Sequence, residues 1–470
     1  PLECVDLLRR ARVAFQAGRT IKEVFRLAQL EAVVRMLEEH ECDFVDALGR
    51  DLHKVRGEPR FETVVSELIL VKNEALHAIN NLKKWMQPQH VERNLSTTLD
   101  ECLLLSEPLG VVFIMGTWCS PVQTCLVPLV GAIAAGNCAI ISPCECTAHT
   151  AELLHRLVPS YLDNVSNYIA GGWEVFNLKV PAEPFFVELK FDHDAAARTL
   201  TPVTLILGGK NPCYVDQHCD ISTTAQRIAW ARFHNAGQSV VAPDYILCHV
   251  DVQAQLMQAL KCCLMQFYGA DPRESRSYGR MVNLEIFNRT RDMLWRSGKV
   301  AVGGQVIEAD KYIAPTILTG VSESDPIMQQ DIFGPVLPVL TVNNMEEAIA
   351  FINKQEKPLC VYAYSSNSKV ISRLMSETSS GSFCSNDSIL QSLMVALPFG
   401  GVGSSGMGSY HGRHSFDTFS HRKSCLLRGT RFECVTYLRY PPYEDRNLSL
   451  MTWASTLDFF KSFIFKHWTD

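Results

Sequence analysis

The run Val111-Val-Phe-Ile-Met115 is apolar without polar alternation, as a strand covered on both faces requires. After Gly116-Thr-Trp118 an apolar helix is predicted from near Pro121, where a proline suits a first helical turn, to Gly136-Asn137, a left-handed stop. Cys138-Ala-Ile-Ile141 then repeats the buried strand, and a further helix can begin near Thr147. Strand, helix, strand is a βαβ unit, and its crossover forces the two strands to lie parallel. The chain is thereby confined to the α/β class, with a ligand crevice expected at the carboxyl edge of the sheet.

A second alternating region opens with a predicted strand Pro202-Val-Thr-Leu-Ile-Leu207, broken by Gly208-Gly209. Strand and helix signals continue from about 245 to 400, including Val336-Leu-Pro-Val-Leu340 and the glycine-rich Gly400-Gly-Val-Gly-Ser-Ser-Gly-Met-Gly408. Residues 3 to about 84 carry apolar positions at mixed spacings of three and four, which predicts an antiparallel helical hairpin packed on something larger. No internal repeat and no low-complexity linker separates these regions, so tightly packed domains are expected.

A chain of 470 residues with 47% hydrophobic and 20% charged residues can bury a large core. The formal charge of −6, without a basic stripe, excludes nucleic acid as an expected partner. The 17 cysteines are odd in number and scattered, which points to a reducing cytoplasm rather than a disulfide scaffold. Cys138, Cys144 and Cys146 with His149, and the pair Cys262-Cys263, resemble metal-ligand spacing only loosely; they are read as small buried hydrophobes, and no metal site is predicted.

Glu107-Pro-Leu-Gly110, Gly116-Thr-Trp118, Gly131-Ala-Ile-Ala-Ala-Gly-Asn137, Leu200-Thr-Pro-Val-Thr204, Gly208-Gly-Lys-Asn-Pro212, Tyr312-Ile-Ala-Pro-Thr316, Ile332-Phe-Gly-Pro335, Leu397-Pro-Phe-Gly-Gly401 and Phe416-Asp-Thr-Phe-Ser-His421 occur in one order along the chain. Together they resemble the aldehyde dehydrogenase family, most of all its class 3 members, from about Asp6 to Tyr443. The resemblance implies a Rossmann-like dinucleotide-binding domain at 1–84 and 105–205, with 173–199 degenerate. It further implies an α/β catalytic domain at 206–415, a small β bridging and oligomerisation unit at 85–104 and 416–445, and an aromatic tail at 446–470.

The family's roles can be carried over position by position. Its active-site run Asn-x-Gly-Gln-x-Cys resembles Asn235-Ala-Gly-Gln-Ser-Val240, so Val240 stands where the resemblance implies a nucleophilic thiolate. Aldehyde oxidation proceeds through a covalent thiohemiacetal, and a valine cannot form one. The family's general base lies in Thr-Leu-Glu-Leu-Gly-Gly-Lys, which here reads Thr204-Leu-Ile-Leu-Gly-Gly-Lys210, so Ile206 replaces the base. The oxyanion asparagine after Gly-Thr-Trp is Cys119, the one residue placed to substitute for the lost thiol if a base or positive charge activated it. Ser239 lacks the Gly-x-Ser-x-Gly elbow of a serine hydrolase.

For the cofactor, NAD or NADP by resemblance, the family's Lys-Pro-x-Glu turn becomes Ser142-Pro-Cys-Glu145, which keeps the carboxylate and loses the ammonium. The Gly-Ser-x-x-x-Gly turn that meets the pyrophosphate at a helix N-terminus has no counterpart between Gly172 and Leu200. Trp118, Glu145, Asp331 and Phe333 remain as cofactor-facing candidates, with Asp331 in place of a glutamate that grips the nicotinamide ribose. Weak cofactor binding is the expectation.

The tail Leu457-Asp-Phe-Phe-Lys-Ser-Phe-Ile-Phe-Lys-His-Trp468 is aromatic with interspersed lysines, too short to span a bilayer, and suited to peripheral membrane contact or to packing over the protein's own cavity mouth. The last cysteine is Cys434, so the prenylated C-terminal cysteine of some relatives has no counterpart. By resemblance the chain forms a homodimer, or a heterodimer with an active relative. Three readings remain open: a non-catalytic family member acting as a binding partner, an enzyme oxidising medium- or long-chain aldehydes with NAD(P), and the functionless product of a decaying gene.

Overall fold

The computed structural model describes residues 2–52, 60–93, 97, 98, 100–169, 196–430 and 437–455. Its first sheet realises the βαβ unit. Strands β3 (Val111–Met115), β4 (Cys138–Ser142) and β5 (Asn167–Ile169) are parallel and adjacent in that order, with Val111 opposite Cys138 and Met115 opposite Ser142. The crossover helix Pro121–Ala135 is apolar on nearly every face and correspondingly buried, as a helix wedged between layers must be. Gly136 ends it at φ 91°, a left-handed stop. Its last carbonyls are met by Arg26, which donates to Ala134 O at 3.0 Å, and by Thr20, whose hydroxyl donates to Gly136 O at 2.6 Å.

The N-terminal segment is more divided than a helical hairpin. Helices Leu2–Gln16, Glu23–Glu39, Glu41–Asp51 and Ile69–Trp85 surround the first sheet. Breaks come where Gly18 takes φ 72° and where His40 leaves helical geometry. Leu7, Ala11 and Ala14 cover Cys138, Ile140 and Tyr168 on one side, while Leu30, Val33, Leu82 and Leu126 join the main core.

A seven-stranded sheet forms the other half. It comprises β7 (Pro212–Val215), β8 (Tyr245–His249), β9 (Lys299–Val302), β12 (Thr316–Thr319), β13 (Val336–Val342), β14 (Cys360–Tyr364) and β15 (Ser382–Ser385), ordered β15-β14-β7-β8-β13-β12-β9. All neighbours are parallel except the edge strand β9, which runs antiparallel to β12. A short hairpin of β10 (Val306–Ile307) and β11 (Tyr312–Ile313) lies apart from it. A three-stranded antiparallel sheet joins β1 (Gln89–His90), β2 (Glu101–Pro108) and β17 (Ser420–Leu427), bringing together segments more than 300 residues apart.

The strand predicted at 202–207 shrinks to β6 (Leu205–Ile206), which pairs antiparallel with β16 (Gly406–Met407). Pro202 offers no N–H for a ladder, and Gly208 and Gly209 both take positive φ, so pairing cannot extend in either direction. Leu126 is fully buried at the centre of the crossover helix, where both layers meet. Leu126→Ala should therefore cost about 2–5 kcal/mol, read as a lower urea midpoint at an unchanged slope; an unmoved midpoint would contradict this account of the core.

Candidate active site

A cavity of about 890 Å³ lies where the two halves meet, within the usual size of a small-molecule site. Met115, Trp118 and Cys119 line it from the first half; Ile206, Asn235 and Val240 line it from the second. The loop that carries Val240 follows the helix Ile221–Phe233 and turns through three consecutive left-handed residues, Asn235 (φ 52°), Ala236 (φ 54°) and Gly237 (φ 74°). Alanine resists this conformation, so the surrounding structure must impose it.

Buried amides do so. Asn235 Nδ2 donates to Cys119 O at 3.1 Å and to Gln238 O at 2.9 Å. Gln238 Nε2 donates to Asn235 O and to Arg280 O, each at 3.0 Å, while its Oε1 accepts from Val282 N at 2.9 Å. Asn211 Nδ2 donates to Val240 O at 2.9 Å and to Ala242 O at 3.0 Å, and its Oδ1 accepts from Cys360 N. Gly237 is required by close approach as well as by φ, because a Cβ there would collide with the Gly334 carbonyl. The loop thus holds the main chain of residue 240 firmly and presents an isopropyl group to the cavity.

The other two positions hold an aliphatic side chain and a buried thiol. Ile206 packs against the core from β6 and has no ionisable atom. Cys119 is buried, its sulfur lying 3.3 Å from the Thr117 hydroxyl. Burial pushes its thiol up to about 11, only partly offset by the Thr117 contact and reinforced by the Glu67 carboxylate, so the activation that a substitute nucleophile needs is opposed. Glu67 itself was not singled out by sequence reasoning. It lines the cavity from the π-helical turn Val64–Leu68 and accepts from Gln123 N at 2.8 Å. An acid inside the apolar run Val64-Val-Ser-Glu-Leu68 was the available signal, and π-turns concentrate at functional sites.

Of the cofactor candidates, Trp118 and Phe333 form a tilted aromatic pair with ring centroids 5.7 Å apart on the cavity wall. Glu145 is solvent-exposed at the start of the turn that follows β4. Ser142, where the ribose ammonium is expected, is completely buried and its Oγ has no hydrogen-bond partner. For Asp331 the structure supplies a main-chain partner. Its Oδ2 accepts from Gly209 N at 2.9 Å, beside a buried cluster in which Asp244 pairs with Lys210 at 2.5 Å and with Arg232 at 3.0 Å. The loss of water and the neighbouring Asp244 charge push the Asp331 carboxyl up to about 7. These residues do not fit a dinucleotide well: a sealed hydroxyl replaces a cation, and a ribose-facing carboxylate is already engaged. The degenerate stretch 173–199 lies largely outside the described residues. Among the described residues no group of three or more His, Cys, Asp or Glu could hold a metal ion.

The aldehyde dehydrogenase family model matches residues 3–178 and 191–425. The chain belongs to the aldehyde dehydrogenase family. It is 46% identical to human aldehyde dehydrogenase family 3 member B1 over 95% of this chain and 96% of that protein. It is 45% identical to the dog dimeric NADP-preferring aldehyde dehydrogenase, over 93% and 97%. The solved structure of Staphylococcus aureus AldH in a substrate-bound state matches with a TM-score of 0.90 at 35% identity, covering 96% of this chain and 99% of that one. The α/β fold with its large, mostly parallel sheet is therefore the family's, while the unmatched residues 179–190 fall within the degenerate stretch.

A carboxyl held up at about 7 in the folded protein binds its proton more tightly there than in the unfolded chain. Its contribution is present at about pH 4 and is lost as pH rises through about 7. Asp331→Asn, which can still accept from Gly209, should gain stability relative to the parent at pH 8 and not at pH 5. Parallel denaturation midpoints across that range would refute the assignment. Gly237→Ala should destabilise by more than 1 kcal/mol through strain at positive φ and the Gly334 clash; wild-type thermal stability would refute it.

Proposed function

We propose that this aldehyde dehydrogenase family member does not oxidise aldehydes and acts through its preserved fold, as a non-covalent binding or heterodimerising partner. The observation that carries this reading is Val240: a loop built to hold residue 240 against the cavity holds a side chain that cannot attack a carbonyl. Ile206 removes a base worth about 10²–10⁴ in rate, and the Cys119 thiol stays protonated at neutral pH. With the nucleophile gone the covalent route itself is absent, so the remaining defects do not add to the loss.

NAD and NADP, which the family resemblance implies, are proposed to bind weakly, in keeping with the sealed Ser142 and the engaged Asp331. One relative is named as dimeric, and self-association through the sheet β1-β2-β17 is proposed here. A reducing cytoplasm suits the free cysteines of the described residues. No helix among them is long and apolar enough to cross a membrane. Membrane contact through residues 457–468 is proposed on composition alone, since that segment lies outside the described residues.

Purified protein should form no NADH or NADPH above background with hexanal or hexadecanal between pH 6 and 9. Turnover that survives Cys119→Ala would overturn the reading, and turnover abolished by it would make Cys119 the nucleophile. Val240→Cys alone should not reach normal rates, because Ile206 and Ser142 remain. Calorimetric titration should show no micromolar affinity for either nucleotide, and a micromolar constant lost in Glu145→Gln would place the cofactor in the crevice after all.

A further inference from the structure

The cavity wall formed by the π-helical turn carries a serine and a histidine that the aldehyde-oxidising roles do not use. Ser66 Oγ and His234 Nε2 are hydrogen-bonded at 3.0 Å, and both residues line the cavity. On the other side of the ring, His234 Nδ1 lies 3.3 Å from Glu62 Oε1, within ion-pair reach though not aligned as a hydrogen bond. Glu62 Oε1 also accepts from Asn235 N at 3.5 Å, and Trp230 packs beside the imidazole with ring centroids 5.8 Å apart.

The chain brings these groups together from two distant segments. Glu62 and Ser66 stand four residues apart across the junction of the helical turn Arg60–Thr63 and the π turn Val64–Leu68, a spacing that puts both side chains on one face. His234 ends the helix Ile221–Phe233, 168 residues beyond Ser66. With the ring hydrogen on Nδ1 toward Glu62, Nε2 accepts from the Ser66 hydroxyl.

We propose that Ser66, His234 and Glu62 form a serine hydrolase triad, and that the cavity hydrolyses neutral esters of apolar carboxylic acids. Such a constellation is recognised by its geometry and roles, not by chain order, and apo hydrogen bonds in it are often loose. Residue 240 takes no part, so the activity goes beyond the binding role proposed above and does not rest on it. Val65, Leu109, Met115, Leu393 and Phe419 give the acyl chain apolar walls. Glu67 on the same lining disfavours an anionic substrate and favours release of a carboxylate product. The side-chain amide of Gln123, which also lines the cavity, is assigned to the oxyanion.

The chemistry closes in two steps. Ser66 Oγ attacks the ester carbonyl carbon as its proton passes to His234 Nε2; a C–O bond to serine forms, the C–O bond to the alcohol breaks, and the departing oxygen takes that proton. Water then gives a proton to Nε2 and attacks the acyl carbon, and the bond to Oγ breaks as Oγ recovers the proton. Glu62 faces the imidazolium formed in each step. The net change is one ester and one water to one acid and one alcohol, with no change of oxidation state.

The test uses the intact protein with p-nitrophenyl hexanoate and, separately, with an alkyl fluorophosphonate followed by peptide mass mapping. Saturable hydrolysis is expected, and the phosphonate should be found on Ser66. Ser66→Ala and His234→Gln should each lower hydrolysis at least about 100-fold, while Glu62→Gln should lower kcat with little change in KM and Glu62→Asp should retain part of it. Hydrolysis that survives Ser66→Ala, an adduct on Ser239, a cysteine or any other residue, or the absence of an adduct would overturn the proposal. Aldehyde oxidation is read separately as NADH formation, so the two readings fail independently. The adduct on the unmodified protein decides the matter by itself should a variant fail to fold.

Discussion

The Arg232 guanidinium is the constraint around which the half that contains the seven-stranded sheet is arranged. Almost wholly buried at 1% exposure, it donates to Pro243 O at 3.0 Å, to Asp244 Oδ1 at 3.0 Å and to Gly334 O at 2.5 Å. A single side chain thereby ties the helix before the Val240 loop to the chain after that loop and to the segment carrying Asp331 and Phe333. A charge so buried is tolerable only while paired, and removing one partner of such a pair typically costs about 3–5 kcal/mol. Lys210 pairs with the other carboxylate oxygen of Asp244, with burial drawing its ammonium down from the usual lysine range.

That scaffold is independent of the reaction. The amides of Asn211, Asn235 and Gln238 satisfy main-chain groups in every case described, and none of their hydrogen bonds depends on the side chain at 240. A valine can occupy the position without disturbing the loop, because its isopropyl group packs against the apolar cavity wall. Preservation of the fold with a valine at position 240 is thus a physically consistent state.

The parallel unit at 111–142 was legible because its apolar runs and its Pro121 and Gly136 boundaries agree with one another. The strand expected at 202–207 was overestimated: β propensity was present, but Pro202 and the two following glycines leave only Leu205 and Ile206 able to pair. The N-terminal hairpin was misread for a related reason, since mixed spacings of three and four do not reveal where a helix breaks, and Gly18 and His40 decided that. At the site, Val240, Ile206 and Cys119 were found by resemblance and do line one cavity. Glu67 was not found, because a carboxylate in an apolar run acquires meaning only when tertiary packing turns it inward. For Asp331 a sequence names a carboxyl group without naming its hydrogen-bond partner, which the structure gives as Gly209 N.

By itself the sequence determined that the chain is an α/β protein of the aldehyde dehydrogenase family and that no thiol stands at position 240. Both follow from local properties: the periodicity and boundaries of apolar segments, and the identity of one side chain. Only the tertiary structure decided that Cys119 is sealed beside Glu67 and that Asp331 lies beside the Asp244 cluster. Burial and the sign of neighbouring charge set the protonation of each of these groups, and those are properties of residues far apart in the chain that folding brings within a few ångströms.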